Sequence, residues 1–183
     1  MPPVIEIKDA SYVYPDGTQA LHAVSLCVEA GEAVALVGAN GAGKSTLLLH
    51  MNGTLLATQG EVRVAGVEVS RLTLSHARRT VGMVFQDPDD QLFMPTVEED
   101  VAFGPRHAGM AQDDVERRTH EALARVGMSH LRMRPPYRLS AGEKRAVAIA
   151  TVLAMAPGVL VMDEPSSNLD PRSLRLNFEI DIE

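Results

Sequence analysis

The sequence predicts an α/β fold: a mostly parallel β-sheet covered by helices, with an antiparallel β subdomain toward the N-terminus and an inserted α-helical subdomain. Three observations carry that expectation. Uninterrupted apolar runs at 33–37, 81–85 and 159–162 read as strands buried on both faces. Segments with apolar residues at helical spacing lie between them, as strand–helix–strand connections require. The segment 61–69 alternates apolar and polar residues and carries Gly66, the pattern of a hairpin at a sheet edge.

Taken in chain order, Val4, Ile5 and Ile7 open a short first strand. The run 33–37 ends in Gly38, and a helix is expected over 44–56. After the hairpin and the strand 81–85, proline and aspartate interrupt the pattern, and the stretch from about 88 to 156 reads as the helical insert. Within it, Val115, Ala122, Leu123 and Val126 share one face of a helix over 113–126, and a second helix is expected over 140–155. The apolar stretch 146–162 is too short to span a bilayer easily and is broken by Pro157 and Gly158, so it reads as a buried helix followed by a buried strand. The expected division is 1–87 for the β subdomain and first part of the core, 88–156 for the helical subdomain, and 157–183 for the returning core.

A chain of 183 residues is long enough for one domain that buries about 70% of its unfolded surface. Its 22% charged and 45% apolar residues are ordinary for a globular protein and exclude a disordered or fibrous class. The net charge of −7 opposes phosphate-driven binding, so nucleic acid is not an expected partner. Cys27 is the one cysteine, which excludes an internal disulfide and fits a reducing compartment. The first eight residues lack a basic segment followed by an apolar one, so no secretory signal is expected and the protein should stay inside the cell.

Gly38, Ala39, Asn40, Gly41, Ala42, Gly43, Lys44 and Ser45 match the pattern G-x-x-x-x-G-K-[ST], set between an expected strand and an expected helix. Glycines let the backbone curl until its N–H groups point inward, and a helix N-terminus adds partial positive charge, so the segment suits a chain of phosphates. The expected fold is therefore that of a RecA-like P-loop NTPase. Lys44 is expected to reach the β- and γ-phosphates of ATP and Ser45 to ligate Mg²⁺, while Gly38, Asn40, Gly41, Ala42, Gly43 and Thr46 complete the nucleotide contacts. The run 159–162 ends in Asp163 and Glu164, at the carboxyl end of a strand, where parallel α/β sheets bind ligands. Asp163 is expected to hold the metal through its water shell, and Glu164 to orient or deprotonate the attacking water.

Leu139, Ser140, Ala141, Gly142 and Glu143 lie between these two motifs, and the ordered set resembles the ATP-binding subunits of ABC transporters. Physically, Ser140 is an N-cap and Glu143 completes a capping box, so a helix begins here with N–H groups available to an anion. The resemblance implies that the anion is the γ-phosphate held by the opposite subunit, and so that two subunits face each other with two ATP molecules between them. It also assigns Gln86 as the Q-loop glutamine, touching Mg²⁺ and relaying nucleotide state to a transmembrane subunit. Tyr14 resembles the residue that stacks on adenine, with Tyr12 an open competitor. Asp170, in the sequence Ser167, Asn168, Leu169, Asp170, resembles the D-loop residue that helps join the subunits. The stretches 85–93, 96–105 and 165–171 are similar to the energy-coupling-factor ATPases, including the cobalt and nickel importer subunits. What this implies is MgATP hydrolysis that powers import of a metal ion or vitamin. The protein would sit peripherally on the cytoplasmic face of the membrane, held by a transmembrane coupling subunit, with homodimer and heterodimer both open.

The sequence departs from the family in three places. Ala141 stands where the family has glycine; if the position needs positive φ or close approach to phosphate, reduced turnover is expected. Beyond about residue 173 the resemblance stops, and Leu174, Leu176, Phe178, Ile180 and Ile182 alternate with polar residues in a strand pattern. The family's switch histidine follows a further helix and strand, which need about 25 residues, whereas residues 165–183 number 19. His22, His50, His76, His107, His120 and His130 all precede that segment, so no switch residue is assigned. Two other readings share the nucleotide motifs: a soluble ABC ATPase of DNA repair or translation, and a non-catalytic ATP-binding or assembly module.

Overall fold

The alternation that begins at Ile5 runs further than its first three apolar residues suggest. In the structure, a computed structural model that describes residues 2–165, it forms a nine-residue strand, β1 (Ile5–Val13). β1 pairs antiparallel with β2 (Gln19–Val28) on one side and β3 (Gln59–Val64) on the other, and β4 (Val67–Glu68) completes the order β2–β1–β3–β4. Ile5, Ile7, Ala10, Leu21, Val62 and Val64 are buried, giving the sheet one core face. The expected hairpin is β3–β4: Ala65 (φ 47°) and Gly66 (φ 79°) make its two-residue turn, with the positive φ values that match strand twist. The sequence pattern does not mark β2, because only Leu21 along it is fully buried and its apolar signal is weak.

Packed on this sheet is α1 (Lys44–Met51), which buries Thr46, Leu47, His50 and Met51. It is shorter than the expected helix over 44–56, because Asn52 caps it and Gly53 turns left-handed at φ 72°. α2 (Leu74–Thr80) follows. The expected buried strand at 33–37 is absent. Residues 32–39 have no regular structure, Val34 is 45% exposed and Val37 94% exposed. A strand exists only where neighbours take its N–H and C=O groups, and none of the four strands of this unit's sheet pairs with this segment.

The described residues divide into two compact units, 2–82 and 83–165. In the second, β5 (Val81–Val84) and β6 (Val159–Met162) pair in a parallel two-stranded sheet, and the Asp163 N–H donates to the Val84 carbonyl at 3.0 Å. α3 (Val97–His107), α4 (Gln112–Arg125) and α5 (Ala141–Leu153) pack on one another. Their shared core includes Val97, Val101, Leu123, Val147 and Ile149, joined by Val84. α4 and α5 are the two expected helices. The sequence pattern marks α3 only as part of the insert, since Gly104 and Pro105 lie inside it. Gly104 is there for space: a Cβ would stand 2.8 Å from the Met155 sulfur. Asp170 and the alternating residues 174–182 lie outside the described residues.

Asp100, in the first turn of α3, is 3% exposed, and its Oδ1 accepts the N–H groups of Phe93 and Met94 at 3.0 Å each. Burial pushes its pKa up, and these two donors pull it back. Asp100→Ala leaves both N–H groups without their acceptor and is expected to cost about 2–4 kcal/mol in urea unfolding. Asp100→Asn keeps one carbonyl oxygen and should cost less; equal losses would contradict this role.

Candidate nucleotide site and signature helix

In the first unit the glycine-rich loop is shaped by two left-handed glycines, Gly41 (φ 80°) and Gly43 (φ 88°). Gly43 also has no room for a side chain: a Cβ would lie 2.5 Å from the Ala20 carbonyl oxygen and 3.1 Å from Leu21 Cδ2. Lys44 Nζ donates to the carbonyls of Gly38 and Ala39 at 3.0 Å each, folding the lysine back over its own loop. The Ala42 N–H donates to the Ala39 carbonyl at 3.2 Å, and the Leu47 N–H to the Gly43 carbonyl at 2.9 Å. α1 begins with no side-chain cap and no acidic residue in its first turn. Its positive end is not offset within its own first turn, and together with the lysine it suits an oligophosphate.

Thr46, on the buried face of α1, is held from two sides. The Tyr14 hydroxyl lies 3.0 Å from Thr46 Oγ1, and His50 Nδ1 lies 2.7 Å from the Thr46 carbonyl oxygen. A carbonyl only accepts, so Nδ1 carries the proton; burial lowers the His50 pKa and keeps the ring neutral. Tyr12 stands edge-on to both Tyr14 and His50, with ring centroids 4.9 Å apart in each case. Tyr14 thus presents a ring whose hydroxyl is already anchored, and Tyr12 serves as its packing support.

In the second unit two of the expected residues meet directly. Gln86 Nε2 donates to Glu164 Oε2 at 2.8 Å, across 78 positions of sequence. Glu164 adopts φ 44°, a left-handed conformation uncommon for a side chain of this kind. Asp163 beside it is 7% exposed. The oxygen groups of Gln86 and Asp163 in this unit, and the hydroxyl of Ser45 in the first, are each of the type Mg²⁺ accepts.

Sequence reasoning missed the residue that organises this unit. Arg145, in the second turn of α5 and 2% exposed, donates Nη1–H to the carbonyls of Phe85 and Gln86 at 2.7 and 2.8 Å. Its Nη2 donates to the carbonyls of Asp163 and Glu164, both at 3.1 Å. Burial lowers its pKa and the Asp163 carboxylate raises it again. A signal was present: Arg145 leads the run Ala146, Val147, Ala148, Ile149, Ala150, all buried. A cation heading such a run is on the helix face that must find partners. Lys144 binds Asp89 at 2.6 and 2.8 Å, and Gln91 Nε2 donates to the Ala148 carbonyl and Thr151 Oγ1 at 2.9 and 2.7 Å. The segment 85–91 is fastened to α5 along its length.

At the start of α5 the capping box is present. The Ser140 N–H donates to Glu143 Oε2 at 2.7 Å, and the Glu143 N–H donates to Ser140 Oγ at 3.3 Å. These bonds take two of the donors expected to await an anion and set a carboxylate at the helix start. Ala141 is an ordinary first helical residue without positive φ, which removes backbone strain as a reason for reduced turnover. Only the space a phosphate would need remains as an argument for glycine there.

Among the described residues no helix is long and apolar enough to cross a membrane. The first unit carries a glycine loop of the P-loop pattern, and the second an acid pair closing a strand and a capped helix; this ordered set of motifs is that of the P-loop nucleotide-binding class. Residues 21–167 match the ABC transporter family, and the chain belongs to it. It is 55% identical over 172 residues to the energy-coupling factor transporter ATP-binding protein EcfA of Methanothermobacter thermautotrophicus, covering 93% of this chain and 55% of that one. Among solved structures it is similar to cbiO1 from Clostridium perfringens, described as part of the ABC transporter complex cbiONQ, with a TM-score of 0.85 and 39% identity over 96% of this chain and 70% of that one. It is also similar to an ATP-binding cassette solved as a dimer in a post-hydrolysis state bound to ADP and Pi, with a TM-score of 0.84 and 28% identity over 94% of this chain and 78% of that one. The chain spans just over half the length of the EcfA relative. Its fold is that of the ABC ATPases.

The Ser140 main-chain N–H, then the Ser140 side chain, hold the Glu143 carboxyl below its ordinary value of 4.5. A depressed folded-state pKa contributes stability that is present above the ordinary value and lost as pH falls through the folded one. Glu143→Ala is therefore expected to lower Tm by a few degrees at pH 7 and by progressively less toward pH 3, measured by circular dichroism. A difference unchanged down to pH 3 would contradict the capping role.

Proposed function

We propose that this chain is the ATP-hydrolysing subunit of an energy-coupling type importer for a metal ion or vitamin. It works as a dimer, in which each glycine loop faces the Ser140 turn of the opposite subunit, and binds the cytoplasmic face of the membrane peripherally through a transmembrane coupling subunit. The observation that carries this reading is the 2.8 Å hydrogen bond between Gln86 and Glu164, which joins the residue assigned to sense nucleotide to the residue assigned to direct water. The names of the EcfA and cbiO1 relatives favour the energy-coupling subgroup, and the dimeric neighbour bound to ADP and Pi favours a dimer.

In this reading Lys44 leaves its two carbonyls for the β- and γ-phosphate oxygens, and the N–H groups of the loop and of α1 surround them. Gly38, Asn40, Gly41, Ala42, Gly43 and Thr46 form the cradle wall, and Tyr14 stacks on adenine. Ser45 and Gln86 would hold Mg²⁺, with Asp163 acting through its water shell, and the ion would supply charge neutralisation. Glu164 aligns the attacking water. Ser140, Ala141, Gly142 and Glu143 meet the γ-phosphate of the opposite subunit, and Asp170 contributes to the dimer contact. The functional division follows as 1–87, 88–156 and 157–183. One observation favours a second reading, an ATP-binding module without turnover: the Glu143 carboxylate stands at the helix start where a phosphate would have to approach.

The test is ATP turnover by the protein in membranes that carry a transmembrane partner. Lys44→Ala is expected to lose about 100-fold or more of the activity, and removal of Mg²⁺ by chelation should have a similar effect. Glu164→Gln should bind ATP, hydrolyse it at least about 100-fold more slowly and accumulate as a dimer on size exclusion. Tight ATP binding with no Lys44-dependent turnover would favour the non-catalytic reading instead.

A further inference from the structure

The Arg145 guanidinium is buried, comes from the helix that Ser140 opens, and makes four hydrogen bonds to main-chain carbonyls of two different segments. One nitrogen holds Phe85 and Gln86, the other Asp163 and Glu164. The two segments it grips are the ones whose side chains pair as Gln86 and Glu164. A planar fork with fixed N–H directions can serve two pairs of carbonyls at once, which a single ammonium on a flexible stem cannot. The grip is on the backbone, so it sets where both side chains begin.

From this we infer that Arg145 is a positioning residue that ties the helix bearing the Ser140 turn to the main chain of Gln86 and Glu164. Engagement of the turn by the nucleotide of the opposite subunit then fixes the water-directing and metal-sensing groups that act on the subunit's own nucleotide. This rests on the dimer proposed above; the tie itself does not. The flanking bonds keep the lever short. Lys144 to Asp89 and Gln91 to Ala148 and Thr151 hold the rest of the 85–91 segment on the same helix, so a movement of α5 carries Gln86 with it.

Arg145→Lys retains the charge and loses the fork; Arg145→Gln also loses the charge. Amide hydrogen exchange without nucleotide should accelerate about 10-fold or more at residues 84–87 and 162–164 in both variants, while α3 and α4 exchange as in the wild type. In the full natural chain with its membrane partner, kcat should fall about 10- to 100-fold with the ATP KM within about 2-fold, because a small misplacement of reacting groups affects chemistry rather than binding. The Hill coefficient for ATP should drop toward 1. Unchanged exchange at either segment overturns the tie, and so does a loss of activity that appears in KM or in the folded fraction alone. Lys44→Ala is measured alongside: if wild-type turnover does not depend on Lys44, the functional reading fails, and the exchange result still decides the tie.

Discussion

A guanidinium taken out of water stays buried only if its N–H groups find acceptors, and that requirement organises the second unit of this protein. Arg145 meets it at both Nη atoms, with four carbonyls from two segments distant in sequence, while its Nε has no hydrogen-bond partner among the described residues. The end of β5 and the end of β6 are brought to one point by that demand, with the Asp163 N–H bonding the Val84 carbonyl nearby. The apolar packing of Val147 and Ile149 against α3 and α4 holds the helix, and the helix holds the loops. Core and chemistry therefore share a single element. Replacing the bonded cation with an apolar residue of similar volume would leave four carbonyls to find other partners, so the site geometry and the local fold cannot be separated at this position.

Two helix starts in the chain solve the same electrostatic problem in opposite ways. Every helix begins with N–H groups that lack intrahelical partners and with partial positive charge. α5 satisfies them internally: Ser140 and Glu143 exchange hydrogen bonds, and the carboxylate offsets the dipole. α1 does neither, with a left-handed glycine at its cap position and no acid in its first turn. The glycine there is fixed by the Ala20 backbone as well as by its own φ, so the loop cannot relax into a capped helix by substitution. Of these two helices, α1 is the one whose first turn has neither a side-chain cap nor an acid, while α5 enters with a self-contained cap. Against the family's glycine, Ala141 changes less than the sequence alone suggests, because its backbone is helical.

The parts of this fold legible in the sequence are those in which one residue type has one physical use. The glycine loop, the acid pair after 159–162 and the Ser140 to Glu143 cap each need particular residues at fixed spacing, and α4, α5, β6 and the β3–β4 hairpin carry strong periodicity. Apolar runs were less faithful guides. Residues 33–37 are as apolar as 159–162, yet one is exposed and irregular while the other pairs with β5. Periodicity reports that side chains suit burial; it does not name the neighbour that takes the backbone hydrogen bonds, and without that neighbour no strand forms. β2 fails the other way, being held by its backbone pairing with β1 while most of its side chains remain partly exposed. Arg145 was hidden for a related reason. Its partners are main-chain carbonyls, which every residue possesses, so no pattern of side chains marks them. Only its place at the head of a buried run told that it must be satisfied, and where satisfaction came from was decided by tertiary structure.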